Sequence, residues 1–164
     1  MTTPRNILVA TDFGLAADEA LSYGRMLAAQ FDATLHVLHV TQNVYMNALA
    51  AESFTAIATT LQEEVDEAAR KALADRLPHS ANGPRTTPVV LSGTAPAVAI
   101  VEYAKDAAID LIVMGTNGRG AMAHLMMGSV AERVVRLAPC PVLTIKHPKE
   151  GTTGLETMQA VTVV

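Results

Sequence analysis

The sequence predicts a single α/β domain: a five-stranded parallel sheet with helices on both faces, a three-layer α/β/α sandwich. Three observations carry this. The chain has 164 residues, which suits one domain, and half of them are apolar, enough for a sizeable core. Short apolar runs rich in β-branched residues alternate with helix-period segments from end to end. The runs are nearly continuous rather than alternating, as in parallel strands covered on both faces.

The first run is 6–11, NILVAT, and the turn Asp12-Phe13-Gly14 follows it. Residues 16–30 read as a helix with a stripe at Ala20, Tyr23, Leu27 and Gln30, widened by Ala16, Ala17, Leu21 and Ala28. TLHVLHV, 34–40, is the second strand. A long helix follows from about Ala48 to Leu77, with Phe54, Ile57, Leu61, Val65, Ala68 and Ala72 on its predicted inner face. The loop 78–87 leads to PVVLSG, 88–93, the third strand. Residues 96–107 form a helix with proline in its first turn, and DLIVMG, 110–115, is the fourth strand. A glycine-rich loop, a helix over 128–138 and the strand VLTI, 142–145, complete the order. Residues 148–164 read as an extension of the 1–147 domain, either an added strand or a partly disordered tail. Its apolar end AVTVV would make a poor free edge, so docking on its own domain or on a partner chain is expected.

The composition narrows the function classes. A formal net charge of −4 gives no broad attraction to nucleic acid or anionic lipid. No stretch reaches the roughly 20 apolar residues of a membrane helix. The single cysteine, Cys140, excludes an internal disulfide, and no signal-peptide core precedes Asp12. The cytoplasm is the expected compartment. Cys140 lies between two prolines with no activating partner near in sequence, so a structural thiol is expected. His36 and His39 are three apart on one strand, so they face opposite ways and do not share a metal.

In an open parallel sheet, ligands bind outside the carboxyl ends of the strands. Those ends carry Thr11-Asp12, Val40-Thr41, Ser92-Gly93 and Met114-Gly115. The most informative stretch is Gly115-Thr116-Asn117-Gly118-Arg119-Gly120, continuing to Gly128-Ser129. Glycines let backbone amides approach a ligand, and a helix starting at Gly128-Ser129 would present free amides at its positive end. Arg119 offers a charged partner for phosphate. The stretch lacks the Gly-Lys-Ser/Thr ending of the P-loop, and it does not follow the first strand as a dinucleotide fingerprint would. Two readings of 115–129 stay open on chemistry alone: an anion site, or a glycine-rich turn with Ser129 as a helix cap.

The spacing Gly115, Gly118, Gly128, Ser129 matches G-x2-G-x9-G-(S/T), and in this it resembles the ATP-binding universal stress proteins of the UspA type. GSVAERVVRLAPCPVLTI resembles that family's closing helix and strand, and NILVATDFG its first strand. The resemblance covers about residues 4–146. It implies a Rossmann-like fold of the adenine nucleotide alpha-hydrolase kind and an adenine nucleotide as ligand: ATP, ADP or AMP. Carried over, it implies Thr11 and Asp12 beside the adenosine, Val40 giving backbone hydrogen bonds to adenine, and Met114 and Gly115 near the ribose. Gly118, Arg119, Gly128, Ser129 and Val130 would surround the phosphates, and Asp12 and Ser129 would help hold Mg²⁺. Gly93-Thr94-Ala95-Pro96 resembles the turn that closes the pocket. Asn117 and Ala121 depart from the histidine and glycine of many members. The resemblance also implies a homodimer through Val142–Ile145, to which the tail would add or swap. The implied role is a stress-response regulatory or interaction module with an unknown protein partner. Slow Mg²⁺-dependent hydrolysis or self-phosphorylation and a nucleotide-free interaction protein are the alternatives. No catalytic residue is assigned, because the loop holds no water-positioning glutamate or glutamine.

Overall fold

The computed structural model describes residues 3–45, 55–77, 83–116, 127–146 and 161–163. The strands are β1 (Asn6–Ala10), β2 (Thr34–Gln42), β3 (Thr86–Gly93), β4 (Leu111–Gly115), β5 (Val142–Ile145) and β6 (Val161–Val163). The helices are α1 (Leu15–Phe31), α2 (Thr55–Arg76), α3 (Pro96–Asp106) and α4 (Ser129–Leu137). The sheet order is β3-β2-β1-β4-β5-β6. The first five strands are mutually parallel, and β6 runs antiparallel to β5. The predicted three-layer sandwich with a five-stranded parallel sheet is therefore the observed, Rossmann-like architecture, with one antiparallel strand added at its edge.

Strand alternation divides the core. Ile7, Val9, Leu35, Val37 and Val113 pack with Ala20, Leu21, Ala28 and Leu73 on the α1/α2 face. Leu8, Ala10, Leu38, Ile112 and Met114 pack with Ile100, Ala104, Ala131 and Val134 on the α3/α4 face. Strands β1 and β4 are buried on both faces, which explains their unbroken apolar runs.

Two helix faces differ from the sequence expectation. On α1 the buried line is Ala16, Ala17, Ala20, Leu21, Gly24 and Ala28, while Tyr23 and Gln30 are exposed. Close approach to the sheet selects small residues: a Cβ at Gly24 would lie 2.3 Å from Val9 Cγ2. On α2 the buried positions are Ala58, Gln62, Ala69 and Leu73, one residue on from the predicted stripe, and Leu61 and Ala68 are exposed. The inner line carries polar residues because it meets a polar cluster at the ends of β2 and β3.

That cluster centres on Asp66. Its carboxylate accepts hydrogen bonds from Thr41 Oγ1 (2.7 Å), Gln62 Nε2 (3.0 Å) and Ser92 Oγ (3.1 Å). Gln62 Oε1 in turn accepts the Val44 amide at 2.9 Å, fixing the exit of β2. Burial pushes the Asp66 carboxyl up, but the hydrogen bonds from Thr41, Gln62 and Ser92, with the charge of Arg70, outweigh it and hold it below the usual range. Strands β2 and β3 run longer than the sequence suggests, because they pair without interruption from Leu35↔Thr86 to Gln42↔Gly93. Pro88 is tolerated within β3 because β3 is an edge strand.

Candidate functional site

The order of the sheet creates one switch point. From β1 the chain passes through α1 to β2 on one side, and from β4 through α4 to β5 on the other. The crevice between the carboxyl ends of β1 and β4 is where such sheets bind ligands.

The β1 lip is a tight, self-bonded turn. The Thr11 amide donates to Leu38 O at 2.9 Å, Thr11 Oγ1 accepts the Phe13 amide at 3.0 Å, and Asp12 Oδ1 accepts the Gly14 amide at 3.0 Å. These short side-chain bonds stabilise Phe13 in the left-handed region, φ 65°. The Phe13 ring lies against His39, centroids 4.2 Å apart, and the Arg76 guanidinium sits 4.8 Å over it. Arg76 also pairs with Asp18 at 3.1 Å, so the end of α2 is tied to the start of α1. His39 Nδ1 donates to the Thr11 carbonyl at 2.8 Å.

The β4 lip approaches α1 closely. A Cβ at Gly115 would meet the Ala16 carbonyl carbon and Cβ, both at 2.9 Å. Gly115 thus has a packing reason to be glycine in addition to the ligand reason expected from the sequence. Beyond it, Thr116 ties two elements: its amide donates to Ile145 O at 2.8 Å, and its carbonyl accepts the Gly128 amide at 2.7 Å. Its side chain is buried, and among the described residues Oγ1 has no hydrogen-bond partner. An orphaned buried hydroxyl costs about 1–3 kcal/mol, so it marks a place where a partner is expected. Thr116 was not among the residues predicted for the site. Its position between two motif glycines was the available signal.

Helix α4 begins at Ser129, with Gly128 as its N-cap and no side-chain cap. Ser129 is therefore the first helical residue rather than the cap, and it is exposed. Glycine at the cap leaves first-turn amides available to an anion, the arrangement the phosphate reading requires. The Met114 and Val130 side chains and that of Val40 pack into the α3/α4 core, so these residues can meet a ligand chiefly through backbone.

Strand register brings the two lips level. Ala10 is opposite Leu38 on β2 and Met114 on β4. Pairing of β1 ends at Ala10, the Thr11 amide still bonds Leu38 O, and the Asp12 turn follows directly beyond that level. Thr11, Asp12, Val40, Met114 and Gly115 thus gather at one end of the sheet. Gly118 and Arg119 of the predicted phosphate loop, with Asn117, Gly120, Ala121 and His124, lie outside the described residues. Among the described residues, no group of three or more His, Cys, Asp or Glu side chains could hold a metal by itself. Among them, too, no helix is long and apolar enough to cross a membrane.

The two strand histidines face opposite layers. His36 shares a hydrogen bond of 2.8 Å between its Nδ1 and the Tyr103 hydroxyl on α3, whereas His39 turns to Phe13. Burial holds the His36 pKa below its ordinary 6.5 and raises that of Tyr103. Below about pH 6.5 the unfolded chain takes up a proton at His36 that the fold resists. This contribution is full above pH 6.5 and is lost as pH falls toward the folded pKa. Wild type should therefore lose more melting temperature between pH 7 and pH 5.5 than His36→Gln; parallel profiles would refute it. Cys140 is half-buried, and burial, with Asp110 nearby, pushes its thiol up, away from the reactive thiolate.

The comparisons with known proteins agree with this fold. Residues 3–146 match the universal stress protein family. A universal stress protein of Methanocaldococcus jannaschii is 36% identical over 149 residues, covering 89% of this chain and 84% of that protein. The solved universal stress protein UspA from Lactobacillus plantarum superposes with a TM-score of 0.77 at 28% identity, over 88% of this chain and 99% of that one. A universal stress protein solved in complex with cAMP shares the fold at TM-score 0.60 and 24% identity, over 88% of this chain and 98% of that one. With the family matched from the first strand to the end of β5, over the same elements that build the crevice, the chain belongs to the universal stress protein family.

Proposed function

We propose that this chain is an adenine-nucleotide-binding regulatory module whose ligand lies across the β1/β4 crevice. The observation that carries the reading is the Thr116 hydroxyl, buried and without a partner among the described residues, beside Gly115 and the glycine-capped start of α4. A related fold solved with cAMP supports the choice of an adenine nucleotide. In this reading the Val40 backbone meets adenine, and Thr11, Asp12, Met114 and Gly115 border the ribose. Gly118, Arg119, Gly128, Ser129 and Val130 surround the phosphates. Any Mg²⁺ arrives with the nucleotide and is held by Asp12 and Ser129. A second copy is the proposed partner, meeting through Val142–Ile145.

The test is isothermal titration calorimetry with Mg²⁺ and ATP, ADP or AMP on protein stripped of nucleotide. A Kd on the order of 1 μM is expected for ATP, about −8 kcal/mol. Ser129→Ala should weaken it by about tenfold through loss of one hydrogen bond to a charged group. Thr116→Val is the sharper probe. It should leave the free protein as stable or more stable, since it removes an unpaired buried hydroxyl, while lowering affinity. No heat with any of the three nucleotides at two temperatures would overturn the nucleotide reading. Thr116→Val that destabilises the free protein would show that the hydroxyl is already paired.

A further inference from the structure

The polar cluster around Asp66 stands where β2 outruns its neighbour. Pairing of β1 with β2 ends at Ala10↔Leu38, with one further bond from the Thr11 amide to Leu38 O at 2.9 Å. Strand β2 continues to Gln42, and β3 pairs with it without a break as far as Gln42↔Gly93. Residues 39–42 therefore overhang the end of the β1 ladder. Backbone groups of successive strand residues point to opposite edges. The Thr34 amide bonds Arg5 O on the β1 side, and the Leu35 amide bonds Arg85 O on the β3 side. The same alternation points the amide and carbonyl of Val40 toward the β1 side, past the level at which that pairing ends.

A strand end paired along one edge needs its orientation fixed from another direction, and α2 supplies this. Thr41 is buried and donates its hydroxyl to Asp66 Oδ1 at 2.7 Å. Ser92, opposite Thr41 in the β2–β3 register, donates to the same carboxylate at 3.1 Å, and Gln62 Nε2 does so at 3.0 Å. Gln62 Oε1 accepts the Val44 amide at 2.9 Å. The chain is thus gripped at Thr41 and at Val44, directly beyond Val40. Three donors converge on one side chain, and an ionised aspartate accepts them all. An asparagine there would offer a single acceptor oxygen and bring two donors of its own.

We propose that Asp66 is a positioning residue for base recognition: held to Thr41, it fixes the angle at which the Val40 amide and carbonyl meet the base, and so sets the preference for adenine over guanine. This rests on the nucleotide reading above. Adenine offers an amino donor beside a ring-nitrogen acceptor, which suits a carbonyl beside an amide. Guanine carries a carbonyl and a ring N–H at the same two positions, so both contacts turn repulsive. Such discrimination depends on alignment, because hydrogen bonds weaken steeply with angle. A backbone edge free to swivel tolerates both bases poorly and separates them less. Asp66 acts through Thr41 rather than by touching the base.

The test measures ATP and GTP, which share their phosphates and differ in the base, by calorimetry on the full chain. Wild type is compared with Asp66→Asn, Thr41→Val and Thr41→Ser. Asp66→Asn and Thr41→Val are expected to bind ATP about tenfold more weakly and to narrow the preference for ATP over GTP by at least about fivefold. Thr41→Ser keeps the hydroxyl and should keep both the affinity and the preference. If Asp66→Asn does not fold, the two Thr41 variants carry the comparison. Equal weakening of ATP and GTP would mark a structural role alone and overturn the proposal. So would a Thr41→Ser variant as impaired as Thr41→Val, or variants with wild-type affinities. A wild type that binds ATP and GTP alike would overturn base selection by Val40 and leave nucleotide binding standing. A wild type that binds neither would overturn the nucleotide reading itself, and this proposal with it.

Discussion

Gly115→Ala is expected to lower stability by about 1–3 kcal/mol and to weaken nucleotide binding in the same variant. The added Cβ would lie 2.9 Å from the Ala16 carbonyl carbon and 2.9 Å from Ala16 Cβ. The obstacle includes helix backbone, so no side-chain rotation relieves it. The start of α1 must move away from β4, and with it the turn Asp12-Phe13-Gly14, whose Gly14 carbonyl accepts the Asp18 amide in the first turn of α1. Denaturant unfolding gives the stability, and calorimetry the affinity. A variant as stable as wild type would show that the α1–β4 contact is looser than described. Lost stability with unchanged affinity would separate the packing role of Gly115 from any role at the ligand.

Gly24→Ala should also destabilise, by about 1–3 kcal/mol, although alanine in a helix interior ordinarily gains about 1 kcal/mol over glycine. The reversal follows from a Cβ position 2.3 Å from Val9 Cγ2, with Leu35 Cδ1 at 3.5 Å. Val9 is fully buried in β1, and a β-branched side chain has few rotamers into which to retreat. Pairing the change with Val9→Ala should restore part of the loss, because the smaller side chain vacates the contested space. A stabilised Gly24→Ala single variant, read by thermal or urea unfolding, would refute the close packing of α1 on β1.

These two glycines mark where reading the sequence succeeds and where it stops. The alternation of β-branched runs with helical segments was enough for the layers and the parallel sheet, because a strand buried on both faces must be apolar throughout. The inner faces of the helices were harder. On α1, Ala16 and Ala17 are buried as expected, but contact distance also turns Gly24 inward while the bulkier Tyr23 faces out. On α2, Gln62 and Asp66 turn inward because Thr41 and Ser92 offer them partners across the chain, and no local periodicity encodes that. The crevice itself was legible as a set of strand ends. The missing partner of Thr116 was not, because an orphaned hydroxyl is a property of its surroundings. The left-handed Phe13 was equally hidden, since an aromatic residue there depends on the bonds made by Thr11 and Asp12.

The order β2-β1-β4 in the sheet acts as a ruler. Val40 on β2 and Thr116 at the end of β4 stand on either side of β1, two strand spacings apart, on the order of 10 Å. A lone inorganic anion is too short to touch both. A base joined to a ribose has the required reach. On the proposed nucleotide reading, the sheet would screen ligands by length before any individual hydrogen bond is made, and a molecule that satisfies only one lip would forgo the contacts of the other.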